Sequence, residues 1–203
     1  MKRILLLFIW VVWGSISSSA YAATFNGKVI DVDTREPIEG AVVVAVWHEA
    51  TATLSGESTR VKDVGECLTD KNGEWKIDGP RGKWGGSITS IYTFLTGSYY
   101  TRPPQFIVFK PGYCSWPAGF GIDSCKGKLK PSGNEKLANG ETVELSKLTN
   151  NRDRLRVLPT PIHKDGDKEF YKKQKTLLRL IDEESRYLGI PEYGILKELE
   201  DEK

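Results

Sequence analysis

Two histidines, three cysteines and a band of aromatic side chains are the residues of this 203-residue chain whose types could do chemistry. A hydrolytic triad needs an imidazole as general base, which leaves His48 and His163. His48 follows the apolar run Ala41 to Trp47 and reads as a residue at the edge of a core or facing solvent. In the enzyme alternative it is the base of a periplasmic hydrolase working with carboxylates at the sandwich edge. His163 follows Pro161 in a linker-like stretch and reads as an exposed loop residue. The chain has no Gly-x-Ser-x-Gly elbow, the turn that exposes a nucleophilic serine. Asp31, Asp33, Asp70 and Asn72 carry oxygens suited to calcium, but Asp70 and Asn72 are explained by a hairpin turn, without EF-hand spacing. The expectation is a protein with no catalytic residue, no cofactor and no metal.

Cys114 and Cys125 close a short loop rich in Gly, Pro and aromatics, and in an oxidising compartment a local disulfide is the favoured reading. Cys67 is then unpaired. It reads as a buried thiol acting as a small apolar residue, with pairing to another cysteine or to a second chain as the alternatives. No spacing matches a C-x-x-C redox or zinc motif.

That compartment is suggested independently. Lys2 and Arg3 precede an apolar run from Ile4 to Trp13, followed by small residues ending Ala20-Tyr21-Ala22. This is the order of a secretory signal peptide cut after Ala22. Ten apolar residues are too few to cross a bilayer core, which needs about 20. The expected mature chain, periplasmic or extracellular, starts at Ala23. Of 29 basic residues two lie in the leader, so 27 face 27 acidic ones afterwards. A balanced chain lacks the basic surface that nucleic-acid binding requires.

The elements that would position these residues are mostly strands. Phe25 to Val32 alternates loosely. Ala41 to Trp47 is almost wholly apolar and β-branched, the composition of a strand covered on both faces. After a polar stretch, Val61 to Thr69 and Glu74 to Ile77 flank Asp70-Lys71-Asn72-Gly73, a tight-hairpin signal that puts Trp75 and Ile77 inward. Gln105 to Lys110 and Glu141 to Lys147 complete the set.

Three of these segments carry a resemblance. Gly27-Lys28-Val29-Ile30-Asp31, Glu36-Pro37-Ile38-Glu39-Gly40-Ala41-Val42-Val43 and Thr69 to Ile77 resemble the G-x-V-x-D, PIxGAxV and TDxxGxFxI motifs of the carboxypeptidase regulatory-like family. Lys110-Pro111-Gly112-Tyr113 is similar to its late kpGY segment. The resemblance spans roughly Thr24 to Leu148. It implies a mainly β fold, a transthyretin-like antiparallel β-sandwich of seven to eight strands, here with a C-terminal helical extension, that serves as an accessory or binding module. The hydroxyisourate hydrolase activity found on that fold depends on several His and a characteristic tetrapeptide end, and neither is present.

The chain departs from that pattern at residues 80–104, where Trp84, Tyr92, Phe94, Tyr99 and Tyr100 lie among Gly, Ser and Thr. Long loops in compact domains tend to be functional or disordered, and five aromatics argue against disorder. Core filling is one reading. The other is a ligand platform of Trp84, Tyr92, Tyr99, Tyr100 and Trp116, joined by Tyr113 and Phe120 at one end of the sandwich. The expected organisation is a signal peptide at 1–22, a β-sandwich at 23–149, a linker at 150–166 and a helical extension at 167–203. Phe170, Leu177, Leu178, Ile181 and Leu188 share one face of a helix from Lys168 to Leu188, capped by Asp167 and stopped at Gly189. Glu192 to Leu199 reads as a second helix. Arg152 to Arg179 is basic and Leu180 to Lys203 acidic, so the two parts should lie against each other or a matching partner; Lys172, Lys173 and Lys175 read as a solvated face. The function expected is an exported, non-catalytic binding or interaction module of the envelope, contacting protein or glycan; a purely structural envelope protein is the further alternative.

Overall fold

The computed structural model describes residues 23–81, 89–117, 124–126, 137–163 and 168–201; the side chains of 89–92 and 200 are outside that description. The leader, Trp84, Phe120 and Asp167 lie outside it as well. Two sheets make up the described β structure. In the first, β1 (Thr24–Asp31) lies between β4 (Glu74–Asp78) and β7 (Thr142–Leu145). In the second, β2 (Val42–Thr53) lies between β3 (Gly56–Leu68) on one side and β6 (Gln105–Phe109) with the two-residue β5 (Tyr100–Thr101) on the other. Their inner faces share one core: Val29, Trp75, Ile77, Val143 and Leu145 meet Val43, Ala45, Trp47, Phe106 and Val108. One pair departs from the antiparallel expectation. β7 runs parallel to β1, a pairing open to strands far apart in sequence, since parallel neighbours cannot be joined by a tight turn.

The apolar run at the start of β2 is buried on both faces, as its composition predicts. Val43, Ala45 and Trp47 point into the inter-sheet core, while Val42, Val44 and Val46 point the other way into a second cluster with Phe109, Phe170, Leu177 and Ile181. The Asp70–Gly73 turn forms as expected. Gly73 has φ 73°, and a Cβ there would stand 2.3 Å from the Val29 carbonyl oxygen, so the position needs glycine. Trp75 and Ile77 are buried in the core, with the Trp75 and Phe106 rings 5.2 Å apart.

The C-terminal segment forms the outer cover. Residues 150–166, expected as a linker, open instead with a helix, α2 (Asn151–Arg156), because the Asn150 side chain accepts from Arg152 N–H at 2.9 Å and caps it. The long helix expected from Lys168 is broken into α3 (Glu169–Lys172) and α4 (Lys175–Leu188). Gln174, fully buried, causes the break: its amide clasps Ile162 N–H and C=O and the Phe170 carbonyl. The cap of α4 comes from the sandwich, where the Glu66 carboxylate of β3 accepts from Thr176 N–H at 2.7 Å and Leu177 N–H at 2.9 Å. Gly189 ends α4 in the left-handed conformation, as its sequence position suggests, and α5 (Ile195–Asp201) follows. No helix among the described residues is long and apolar enough to cross a membrane.

The charge asymmetry resolves into contacts. Arg154 holds Glu184 through two hydrogen bonds of 2.6 Å, and Glu184 also accepts from Gly112 N–H of the sandwich at 3.1 Å. Lys168 pairs with Glu198 at 3.6 Å. Within the Lys172–Lys175 group, Lys173 is tied to Asp63 of β3 at 2.7 Å.

Candidate functional site

The polar residues after Trp47, expected outside the strands, continue them. A register shift between Trp47 and His48 marks the change, and β2 then pairs with β3 out to Thr53 and Gly56. Thr51 and Thr53 are β-branched, which suits an extended chain. Six further residues at the strand rise extend this hairpin by roughly 20 Å, making an arm. The aromatic insertion supplies its cover. Residues Thr89–Thr96 form a helix, α1, and the buried Thr93 hydroxyl accepts from Ala52 N–H at 3.4 Å. β5 then pairs with Glu49 and Ala50.

Charged and aromatic groups knit the arm's surface. Arg60 sits opposite Glu49 and bonds its carboxylate, with its guanidinium 4.2 Å from the centre of the Tyr99 ring. Tyr100 donates its hydroxyl to Glu57, and Arg102 bonds the same carboxylate. The Tyr100–Glu57 bond, followed by burial, raises the Tyr100 pKa. Lys62 donates to the Thr101 hydroxyl at 2.6 Å. Exposed apolar side chains accompany these polar groups, one at the hairpin tip and two on α1. Leu54 at the hairpin tip is 95% exposed, and on α1 Leu95 is 76% and Phe94 48% exposed.

The proposed aromatic platform divides. Tyr99 and Tyr100 stand together on the arm, whereas Trp116 is buried in the core beside Val108, which pairs with Val43 near the foot of β2. Tyr100 pairs with Ala50, seven residues further along, so Trp116 belongs to packing and not to a shared ligand surface. Trp84 and the Tyr92 side chain lie outside the described residues. Tyr113 also goes to the opposite end. Its hydroxyl helps hold the Asp31 carboxylate, along with Thr34 and Asp33 N–H groups. Burial draws the Asp31 pKa upward, but these hydrogen bonds outweigh it and the net shift is down. Asp70 is likewise occupied by Asn72 and Glu74 N–H, each at 2.8 Å.

His48 stands at the arm's root. Burial, aided by the nearby Arg102 cation, lowers its pKa, and Arg102 N–H bonds its carbonyl at 2.8 Å. Among the described residues its ring meets no hydrogen-bonded carboxylate. His163 stacks with Tyr171, the ring centres 6.5 Å apart. Cys114 and Cys125 form the expected disulfide. Cys67 is a free, half-buried thiol against the core, and burial pushes its pKa up to about 11.

Sequence reasoning missed the arm itself. Its signal was the alternation of Thr and Ala after Trp47, which reads as polar composition unless the partner strand is known. Compared with known proteins, the chain matches no family model and no curated protein.

Proposed function

We propose that the chain is an exported, non-catalytic β-sandwich module that works by contact at the cell envelope, with the arm as its contact surface. The observation that carries this reading is the arm's exposed apolar side chains: Leu54, Leu95 and Phe94 project from an element whose root is held in a two-sided core. Side chains this exposed contribute little to packing, and exposed apolar patches mark interaction sites. The resemblance to the carboxypeptidase regulatory-like, transthyretin-like modules supports the same reading. Ala41 is buried where the sheets meet, and Gly40 and Gly73 hold positive φ at the turns that the motifs require. Such sandwiches host many roles, so the site and not the fold carries the function.

The test is fractionation of cells expressing the full sequence. The wild-type chain is expected to remain with the envelope fraction, and the double variant Leu54→Asp/Leu95→Asp to be released in soluble form. Equal distribution of the two would overturn the reading.

A further inference from the structure

We infer that the Cys114–Cys125 disulfide is a redox-sensitive latch that holds α2, and through α2 the end of α4, against the sandwich. The inference goes beyond the contact reading and does not depend on the arm. Its first ground is a closed circuit of contacts in which the disulfide is the covalent link. Beside Cys125, the Ser124 hydroxyl donates to the Asp153 carboxylate of α2 at 2.6 Å. The next residue, Arg154, grips Glu184 of α4 with two hydrogen bonds of 2.6 Å. Glu184 in turn accepts from the N–H of Gly112, which stands just before Tyr113 and Cys114. The two cysteines also pack against Leu148 and against Val157, the residue that closes α2. The first turn of this short helix and its last residue therefore both touch the disulfide-bearing segments.

The second ground is that the two cysteines are held unequally. Cys114 belongs to a backbone ladder: its N–H donates to the Ser146 carbonyl at 2.9 Å, and Leu148 N–H donates to the Gly112 carbonyl at 2.8 Å. Cys125 is held through side chains. The Ser146 hydroxyl accepts from Lys126 N–H at 2.7 Å and donates to the Lys126 carbonyl at 3.0 Å, and Ser124 reaches Asp153. Ser124 and Lys126 are themselves exposed. Opening those few bonds brings the Cys125 sulfur to solvent while the inter-sheet core, a separate cluster, stays closed.

A dithiol supplies the two electrons for release. Its thiolate attacks the Cys125 sulfur and expels the Cys114 thiolate, and its second thiol then displaces Cys125 from the mixed disulfide. The dithiol leaves as a disulfide and its two protons end on the two cysteines. Residues 124–126 are then no longer tied to the ladder, and the Ser124–Asp153 bond and the Val157 contact lose their covalent constraint. A helix as short as α2 does not persist without such support, and its loosening slackens the hold of Arg154 on Glu184. Disulfides persist in oxidising compartments and are reduced elsewhere, so the cover is fixed in the first setting and loosened in the second.

The experiment is hydrogen exchange of the disulfide-bonded chain, purified from cells expressing the full sequence, before and after dithiothreitol under native conditions. Reduction should speed exchange most at Lys126. Arg154 and Val157, whose N–H groups bond to the Asn150 and Asp153 carbonyls, should exchange at least about tenfold faster. The last turn of α4 should follow by a smaller factor, with β1, β4 and Val42–Val46 constant. The variant Ser124→Ala keeps the disulfide and should speed exchange in α2 alone, by less than reduction does. Unchanged exchange in α2 after reduction would mean that the disulfide staples only its own loop. Equal acceleration in the sandwich and in α2 would mean that it supports the whole fold. Either result overturns the latch, and so does an α2 indifferent to Ser124→Ala.

Discussion

β2 is one continuous strand with two unlike halves. From Val42 to Trp47 each face meets a cluster of buried side chains, one from the opposite sheet and one from α3 and α4. From His48 to Thr53 the same backbone, with the same partner strand, carries Glu49, Arg60, Tyr100 and Glu57 on its surroundings and ends in exposed leucine. Hydrogen-bonded pairing is therefore shared and does not distinguish them. What differs is the area removed from water, and stability should follow that area.

The largest effect tests this directly. Trp47 is 1% exposed and is the last core residue before the register shift. Trp47→Ala should cost about 3–5 kcal/mol through lost burial and a cavity. Leu54→Ala, only a few residues away in the same hairpin, should stay within about 0.5 kcal/mol of wild type. Urea denaturation of both variants measures the difference, and comparable losses would break the contrast between the halves. The indole N–H of Trp47 has no hydrogen-bond partner among the described residues, so Trp47→Phe should recover most of the loss.

The next effect concerns what closes the outer face of the buried half. Glu184 is 2% exposed and shared by Arg154 and Gly112 N–H. Its bond, ahead of its charge, raises the Arg154 pKa, and a guanidinium keeps its proton even without such help, so the cation persists when the partner is removed. Glu184→Ala leaves that cation nearly buried, over the Tyr187 ring but without its carboxylate, and should cost about 3 kcal/mol. Hydrogen exchange would show where. Increased exchange in α4 and at Val42, Val44 and Val46, with the arm unaffected, is the expected pattern.

Glu66 should matter less. Glu66→Ala removes two hydrogen bonds and a favourable charge at the start of α4, a loss of about 1–2 kcal/mol. Thermal melting measures it, and Glu66→Gln, which keeps an acceptor oxygen, should lose less.

How far the sequence discloses these contacts follows their range along the chain. The double burial of Val42–Trp47 is visible in an unbroken apolar run, and the Asp70–Gly73 hairpin in the turn it needs. Cys114 and Cys125 are near neighbours whose compartment suggests their bond. The attraction of the basic for the acidic part of the C-terminus is legible as charge, though Arg154 and Glu184 individually are not. The Glu66 cap joins residues 110 positions apart, and Gln174 breaks a well-patterned helix by reaching back to Ile162. Local propensity carries no information about either. The arm was hidden for the opposite reason: its alternating Thr and Ala are weakly apolar, and only pairing with β3 and the cover of α1 make them a strand. Trp116 shows the converse error, in which an aromatic residue on a loop suggested a surface yet filled the core.

The smallest effect lies at the seam between the halves, at His48. Burial, with help from the Arg102 cation, depresses its pKa below the ordinary 6.5, so the folded chain prefers the neutral imidazole. The unfolded chain takes up the proton first as pH falls through the ordinary value. The stabilisation is present above that pH and is lost as pH drops toward the folded-state pKa. His48→Gln removes the titration without adding charge. Its unfolding midpoint should therefore fall less steeply than the wild type's between about pH 7 and pH 5. Because the ring sits where the covered half gives way to the exposed one, protonation should loosen the arm before the sandwich. Exchange at Glu49–Thr53 should rise on acidification while exchange at Val42–Val46 stays constant. Parallel pH slopes for variant and wild type would show that the boundary at His48 is only a matter of register and that the two halves open as one.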